Sequence, residues 1–383
     1  MFKRLLISLL ILCLLPTAGC WDRKEVNQTA VAIGLGLDSF QQDQILYTIQ
    51  FPQTEQPGGE GMQSAFVTVS AADDTYTTAA RKISLKSPRS ILFQHSTVLV
   101  LGEDLGRKGL SGLVDYLARN RNIRESADVF MARDTTAADV LSVPTQVDKV
   151  PATALASMIK KQDRLAGIYT RTPVSDLTSK TAAPGMEPTV PGIAIVEREK
   201  NQKHLELSGT AVFKRGKLVG WLNEEESRGY RWLRPKMVTG GTITISCPVG
   251  GEPVLIENIR AQSQIKPEIR DGQIIMHIKV REEGFFYEQR CLHQLVTPEM
   301  LPVLNQHIEQ VIKKQITLAV RQAQTLNSDI FGFGDALRKK YPGQWAELAH
   351  RWDDIFPTIK LEIEVDAKIR RVNLVSQTTR LKY

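Results

Sequence analysis

The sequence predicts a mixed α/β fold of the α+β kind, with mixed and antiparallel sheets and one long helix in the carboxyl-terminal region. The continuous apolar run Thr97–Leu101 is typical of a buried strand, and apolar residues at helical spacing follow it at Leu110–Leu117. Residues 359–370 alternate strictly between apolar and charged side chains, as in a strand with one buried face. Thr297-Pro298-Glu299 begins a helix that runs to about Thr325, because proline is favoured at the first helical position.

Strands and helices alternate along the amino-terminal half of the chain. Short apolar or alternating runs predict strands at Val31–Asp38, Ile45–Phe51, Phe66–Ala71, Thr97–Leu101 and Asp128–Ala132. Helical spacing predicts helices at Asp74–Leu85 with Asp74 as its cap, Leu110–Leu117, Ala137–Leu141, Ala152–Asp163 and Val174–Lys180. The Pro- and Gly-rich stretch Pro184–Gly192 is predicted to be a loop that ends this region.

The pattern changes after Leu205, where short strands and turns predominate. The segment GTAVFKRGKLVGWL predicts a hairpin that turns at Lys214–Lys217, and Asn223 opens a short helix. Further strands are predicted at Thr242–Ile245, Val254–Ala261 and Ile274–Val280. These shifts divide the chain into a leader at residues 1–19 and three domains at residues 20–200, 201–262 and 263–383.

The leader has the composition of a cleaved secretory signal. Lys3 and Arg4 give it a positive start, and the apolar block Leu5–Leu15 follows. A helix of this length would reach about 16 Å, roughly half of a bilayer's hydrocarbon core, so it is too short to span a membrane. The small residues Thr17-Ala18-Gly19 then precede Cys20, and the chain becomes polar directly after it.

Small residues directly before a cysteine are typical of a bacterial lipobox, although Leu is commoner than Thr17 three residues before the cysteine. We predict a lipoprotein signal peptide that is cleaved between Gly19 and Cys20, with S-diacylglycerol and an N-acyl chain such as palmitate on Cys20. Several acyl chains give stable anchoring, whereas a single chain binds a membrane only marginally. An ordinary secretory signal followed by an incidental cysteine is the alternative.

Composition indicates a globular protein with modest charge. Apolar residues make up 42% of the chain and charged residues 24%, which is enough to bury a core. The formal net charge of +7 falls to +5 when Lys3 and Arg4 leave with the signal peptide. This charge is spread along the chain; it favours an anionic membrane surface slightly and gives no indication of nucleic-acid binding.

The sequence lacks the common motifs of catalysis, cofactor binding and metal binding. Its six histidines do not have metal-site spacing, and neither a nucleophile elbow nor a phosphate-binding loop occurs. Gly34-Leu35-Gly36 ends a predicted strand without the third glycine of a dinucleotide site, which favours close backbone packing. Three acidic groups lie where acids are expected at helix starts or on polar faces: Asp73-Asp74, Glu224-Glu225-Glu226 and Asp353-Asp354. We therefore expect no enzymatic activity, no cofactor and no metal.

Three further features each have two interpretations. Arg119, Arg121 and Arg124 either lie in a solvated loop or contact lipid headgroups or an acidic partner. The FGFG block at 331–334 either packs two aromatic side chains into the core at a tight turn or exposes them to a partner. Cys247 and Cys291 either form a disulfide or remain two buried thiols.

Three separated segments resemble one known family. Cys20-Trp21-Asp22-Arg23 with Glu25-Val26, directly after the lipobox, resembles the start of the spore germination C proteins, the Ger(x)C family. GTAVFKRGKLVGWL resembles the middle-domain hairpin of that family, and DIFGFGDALRKKYPGQWAEL through Trp352 resembles its carboxyl-terminal signature. The three segments occur in the family's order and span essentially the whole mature chain.

The resemblance implies a three-domain mixed α/β ectodomain held by lipid on Cys20 at the outer face of the cell membrane, which in a spore is the inner membrane. It implies a non-catalytic subunit of a nutrient germinant receptor. The partners would be an A-type subunit with membrane spans and soluble regions, and a multi-span B-type subunit that resembles amino-acid transporters. Such a complex senses small nutrients, for example amino acids or sugars, and triggers spore germination.

Two other functional classes remain open on the sequence alone. A lipid-anchored solute-binding protein of a transporter is the main alternative, although that class usually has two similar lobes and the chain shows no repeat between its halves. A surface enzyme is the third class, and residue spacing gives it no support.

Overall fold

The computed structural model describes Phe2 and residues 26–53, 64–198 and 202–372 of the chain. Within these residues the strands are β1 (Thr29–Val31), β2 (Gly34–Ser39), β3 (Ile45–Pro52), β4 (Phe66–Asp73), β5 (Ser90–Leu92), β6 (Val98–Leu101), β7 (Asp128–Ala132), β8 (Thr189–Arg198), β9 (Gln202–Lys214), β10 (Lys217–Leu222), β11 (Thr242–Ser246), β12 (Pro253–Arg270), β13 (Gln273–Gln289) and β14 (Lys360–Val372). The helices are α1 (Tyr76–Ile83), α2 (Glu103–Lys108), α3 (Ser111–Arg119), α4 (Ala137–Val140), α5 (Pro151–Leu165), α6 (Val174–Ala182), α7 (Glu224–Trp232), α8 (Met300–Thr325), α9 (Phe333–Lys340), α10 (Pro342–Leu348) and α11 (Trp352–Ile355).

Most of these strands belong to two sheets. The eight-stranded sheet has the order β10-β9-β8-β7-β6-β2-β3-β4; its β2, β6, β7 and β8 strands are parallel, and its edges are antiparallel. The four-stranded sheet has the order β11-β12-β13-β14 and is antiparallel except for its β13–β14 pair. A separate parallel pair joins β1 to β5. The predicted mixed α/β class, with mixed and antiparallel sheets, is confirmed.

Apolar layers cover both faces of the eight-stranded sheet. One face packs against side chains from the first helices, including Ile83, Leu105 and Leu113. The opposite face packs against Leu141 and the α5 residues Leu155 and Ile159. Strand β6 is fully buried between these layers, which explains why its sequence is a continuous apolar run.

Helix α8 packs on the four-stranded sheet through one apolar stripe. The helical spacing of Leu304, Ile308, Val311, Gln315 and Ala319 predicts one stripe along this helix. Leu304, Ile308 and Ala319 are buried as predicted, whereas Val311 and Gln315 lie at the partly exposed margin. The regular helix begins at Met300 and not at Thr297, because Pro302 has no N–H to donate to the Pro298 carbonyl. The Thr297 hydroxyl accepts the Met300 backbone N–H at 3.2 Å, which is the contact of a helix N-cap. The buried stripe consists of Leu304, Ile308, Ile312, Ile316, Ala319, Val320 and Ala323.

Three predicted boundaries in the amino-terminal half are wrong. The predicted strand at 31–38 divides into β1 and β2, because the chain leaves its pairing with β5 to join β3 and β6. Thr75 and not Asp74 caps α1, since its hydroxyl accepts the Thr78 N–H at 3.1 Å in a capping box. The predicted loop at 184–192 ends early, because β8 begins at Thr189 and accommodates Pro191 beside a bulge.

The predicted hairpin is confirmed as β9 and β10. It turns through Arg215 and Gly216, whose positive φ angles of 49° and 75° suit a tight hairpin turn. The hairpin extends one edge of the eight-stranded sheet, whereas residues 242–262 belong to the four-stranded sheet. The predicted middle segment 201–262 therefore contributes to both sheets, and the three-domain boundaries stay predictions.

Candidate functional surfaces

The predicted lipidation site, Cys20, lies outside the described residues, as do Trp21 and Asp22. Beyond them the described chain resumes at Val26, and Thr29 pairs with Ser90 in the parallel β1–β5 pair. Because these two strands run in the same direction, the chain that precedes Thr29 arrives beside the residues that precede Ser90. The described chain therefore enters the fold on the side of the molecule that carries β5.

A groove of about 680 Å³ opens beside β5, between α1 and α3. The rings of Tyr76 and Tyr116 stack against each other in it, with centroids 5.1 Å apart, and burial raises the pKa of Tyr76 to about 12. This arrangement can receive a small ligand or a partner side chain, and its lining contains no histidine or cysteine. The polar rim includes Arg81, Ser84, Ser90, Arg119, Asn120 and Asn122.

Arg119 of the predicted cationic cluster lines this groove, and Arg121 and Arg124 follow it in the chain. Arg119 pairs with Asp115 at 2.9 Å, and Arg124 donates to the Ser126 hydroxyl at 2.8 Å. Arg121 is exposed and forms no ion pair within the described part of the chain. The structure thus brings the three arginines to one exposed turn; the choice between a solvated loop and a binding surface stays a prediction.

The FGFG block is part of the core. Phe331 and Phe333 stack with ring centroids 5.3 Å apart, and both are buried. The buried Asp329 carboxylate accepts the backbone N–H groups of Phe333 and Gly334 at 3.0 and 2.7 Å, and the Trp352 indole N–H at 3.2 Å. Burial raises the pKa of Asp329 to about 6, although these hydrogen bonds oppose the shift. The structural interpretation of this block is confirmed, and Asp329 is the residue that the sequence analysis missed.

The three acidic groups are engaged in structural contacts. Asp73 pairs with Lys82 at 2.7 Å, and Asp353 pairs with Lys214 at 3.1 Å. Glu226 completes the capping box of α7 by accepting the Asn223 N–H at 2.8 Å. These are the helix-end and ion-pair roles that acids commonly have at such positions.

His277 is the histidine with the most acidic surroundings on the four-stranded sheet. Its Nε2 lies 2.5 Å from Glu268, and its Nδ1 lies 3.1 Å from Glu362. The imidazole therefore lies between the two carboxylates, so the three side chains do not point toward one common metal position. Nowhere in the described ranges do three His, Cys, Asp or Glu side chains form a group that could hold a metal ion.

Cys247 and Cys291 are buried free thiols in the structure, and burial raises the pKa of Cys291 to about 12.

Gly34 lies in close contact with α5, because a Cβ atom there would lie 2.8 Å from the Ala152 Cβ. The close-packing interpretation of Gly34 is confirmed.

No helix among the described residues combines the length and apolar character needed to cross a bilayer.

Glu282 is a buried acid that the sequence analysis missed. Its residue exposure is 1%, and among the described residues neither carboxylate oxygen has a hydrogen-bond partner. Burial raises its pKa to about 8. The alternation of Ile274, Met276, Ile278 and Val280 continues to Glu282, so extending that pattern by one step would have predicted an inward-facing acid.

Two family models account for most of the chain. The model described as spore germination protein N-terminal domain matches residues 22–195, and the model described as spore germination B3/GerAC like, C-terminal, matches residues 208–373. The chain belongs to the Ger(x)C family. The first match covers most of the eight-stranded sheet of this Ger(x)C protein, and the second covers the end of its hairpin and the four-stranded sheet.

Relatives of this Ger(x)C chain match it along nearly their full length. Spore germination protein KC of Bacillus subtilis (strain 168) is 26% identical, and the match covers 97% of this chain and 96% of the relative. Spore germination protein B3 of the same organism is 26% identical, over 94% of this chain and 96% of that protein. The crystal structure of the GerBC protein matches with a TM-score of 0.58 at 20% identity, over 91% of this chain and 100% of the other. This structural match shows that the Ger(x)C chain has the same fold.

Proposed function

We propose that this chain is the lipid-anchored, non-catalytic C subunit of a spore nutrient germinant receptor. The observation that carries the proposal is the match of both Ger(x)C family models, across residues 22–195 and 208–373, directly behind a lipobox that ends at Cys20. In this function the ectodomain sits on the outer face of the cell membrane, which in the spore is the inner membrane. There it docks with the A-type and B-type subunits and helps to trigger germination.

The lipid anchor has a direct physical consequence for assembly. An S-diacylglycerol group with an N-acyl chain holds the protein at the bilayer, because each buried methylene contributes about 0.8 kcal/mol. A tethered ectodomain meets membrane-embedded partners at a raised effective concentration, so modest contact surfaces are enough for docking. The subunit can therefore act without a catalytic group of its own.

The contacts of the titratable groups support a non-catalytic role. Paired acids can serve acid–base chemistry, but Asp73 and Asp353 form ion pairs and Glu226 forms a helix cap. The groove between α1 and α3 has an aromatic floor and a polar rim, which suits binding better than proton transfer.

Replacement of Cys20 by Ala tests the anchoring part of the proposal. We expect the variant to lose the lipid-modified amino terminus in mass spectrometry, to leave the spore membrane fraction and to slow nutrient-induced germination. Cys13→Ala is a matched control, since it removes a cysteine of the same leader and should leave all three measurements unchanged. A Cys20→Ala protein that remains membrane-bound and fully active would contradict the proposal.

Co-purification tests the docking part. The lipidated wild-type protein, extracted in mild detergent from spore membranes, should retain A-type and B-type subunits. Recovery of the anchored protein without either subunit, under conditions that keep those two subunits together, would contradict a receptor role.

A further inference from the structure

We propose that one face of the ectodomain binds anionic lipid headgroups directly and so fixes the orientation of the protein on the membrane. This face, called the tether face, consists of residues 73–90 and 111–126, which contain α1, α3 and the turns that follow them. The inference rests on the proposed lipid anchor for its geometry, but it concerns a second and separate contact with the bilayer.

The length of the tether limits how far the tether face can be from the membrane. Thr29 lies nine positions after Cys20, and nine residue-to-residue steps extend at most about 30 Å. Thr29 pairs with Ser90, so the chain enters the fold beside Arg89. A lipid on Cys20 therefore keeps the tether face nearer to the headgroups than surfaces on the far side of the sheets.

The charge of the tether face suits an anionic bilayer. Its two segments contain seven Lys and Arg residues and four Asp and Glu residues. Two of the cations, Lys82 and Arg119, are neutralised in ion pairs with Asp73 and Asp115. The remaining cations are exposed and form no ion pair within the described part of the chain; they are Arg81, Lys86, Arg89, Arg121 and Arg124.

Leu85 adds an exposed apolar group that lies between Arg81 and Lys86 in the chain. It is 86% exposed, in the turn directly after α1, and Lys86 follows it. The Lys86 ammonium group donates to the Ser70 carbonyl at 2.7 Å, which connects this turn to the eight-stranded sheet. Exposed apolar side chains with neighbouring cations are typical of surfaces that lie in the membrane interface.

Contacts join the two segments at one groove. Arg81 and Ser84 from the first segment line the same groove as Arg119 and Asn122 from the second. The Gln94 side chain, next to β5, donates to Asn122 at 3.1 Å and connects the two turns. The short tether favours lipid over an acidic protein as the occupant, because the bilayer is always within reach of this face.

Vesicle binding of the complete mature chain with Cys20→Ser tests the inference without the anchor. The wild-type face should bind phosphatidylglycerol-containing vesicles and not pure phosphatidylcholine vesicles, and added salt should weaken the binding. The triple variant Arg81→Gln, Arg89→Gln, Arg121→Gln should bind on the order of 100-fold more weakly, from about 1 kcal/mol per lost cation. The matched control Lys236→Gln, Lys266→Gln, Arg351→Gln removes three exposed cations from the region of the four-stranded sheet and should bind normally.

A fluorophore at position 85 reports the contact itself. An environment-sensitive dye on Leu85→Cys should shift to shorter wavelength with phosphatidylglycerol vesicles, whereas the same dye on the exposed Val147→Cys should not. Equal vesicle binding by the two triple variants, or equal dye responses, would overturn the inference. Loss of partner co-purification by the first triple variant, with vesicle binding intact, would also overturn it and assign these cations to an acidic protein surface. If Cys20 proves to carry no lipid while the Cys20→Ser chain still binds vesicles as described, the anchoring proposal fails and the lipid contact stands.

Discussion

The Arg231 guanidinium group lies 3.2 Å from the Asp163 carboxylate and connects α7 to the end of α5. Arg231 is 2% exposed, and it also donates to the backbone carbonyls of Asp163 and Thr239 at 2.8 and 2.9 Å. Through these contacts the buried Arg231 side chain connects α7 to the end of α5 and to the loop that precedes β11.

Arg231→Met should lower the free energy of unfolding by about 3–5 kcal/mol, because the buried carbonyl groups lose their donor. Urea unfolding of the complete mature chain with Cys20→Ser measures the change. Arg351→Met, at an exposed arginine, is the control and should change the stability by less than about 0.5 kcal/mol. Similar losses in both variants would show that the buried contacts of Arg231 contribute little.

Glu282 predicts a pH dependence of stability. Burial raises the pKa of its carboxyl group from 4.5 to about 8 in the folded protein, so folding favours the protonated form. The contribution of this preference to the free energy of unfolding is fully present below pH 4.5 and is lost as the pH rises through about 8. The full loss corresponds to about 5 kcal/mol. Urea unfolding at a series of pH values should show a loss of stability between about pH 6 and pH 8 in the wild type that is absent from Glu282→Gln.

Glu288→Gln provides the control for the Glu282 experiment. Glu288 is exposed at the end of the same strand, so its replacement should leave the pH slope in place. A wild-type protein that is equally stable at pH 5 and pH 8 would contradict a protonated, buried Glu282.

The two thiols of the mature chain predict a specific alkylation pattern. Cys247 and Cys291 are buried, and burial raises the pKa of Cys291 to about 12, so little reactive thiolate forms at neutral pH. The folded Cys20→Ser chain should resist iodoacetamide, and mass spectrometry should find two modified cysteines after unfolding without reductant. Modification only after reduction would show that the two cysteines form a disulfide, the alternative that the sequence left open.

Local patterns predict most of the fold, because they reflect which face of an element is buried. The alternation at 359–370 and the run at Thr97–Leu101 are therefore sufficient for β14 and β6. Strand β8 is different: Pro191 and a neighbouring glycine suggest a loop, and only the pairing with β7 and β9 makes a strand there. The predicted helix at 74–85 also extends too far. Because α1 ends at Ile83, Leu85 falls in the following turn and is exposed, which no local pattern indicates.

The candidate surfaces depend on contacts between distant parts of the chain, so the sequence could predict only their components. The arginines at 119–124 are visible as a cluster, but their position near β5 depends on a contact between distant residues, Gln94 and Asn122. Lipidation of Cys20, in contrast, is a chemical property of a short local motif, and it stays a prediction from the sequence.

Asp329 gives the last prediction, which concerns the family signature around FGFG. Asp329→Ala should lower the free energy of unfolding by about 2–4 kcal/mol, because it leaves two buried backbone N–H groups and the Trp352 indole N–H without their acceptor. Asp329→Asn keeps one acceptor oxygen and should lose less. Thermal unfolding followed by tryptophan fluorescence measures both changes, and Asp354→Ala, in α11, is the control.

The ionisation of Asp329 predicts a pH dependence of stability that packing alone would not produce. Burial raises its pKa from 3.8 to about 6, so the stability from this group is greatest below pH 3.8 and is lost as the pH rises through about 6. Asp329→Asn cannot ionise, and its disadvantage relative to the wild type should therefore be smaller at pH 7 than at pH 4. A constant difference across this range would mean that Asp329 acts through its shape and hydrogen bonds without a change in protonation.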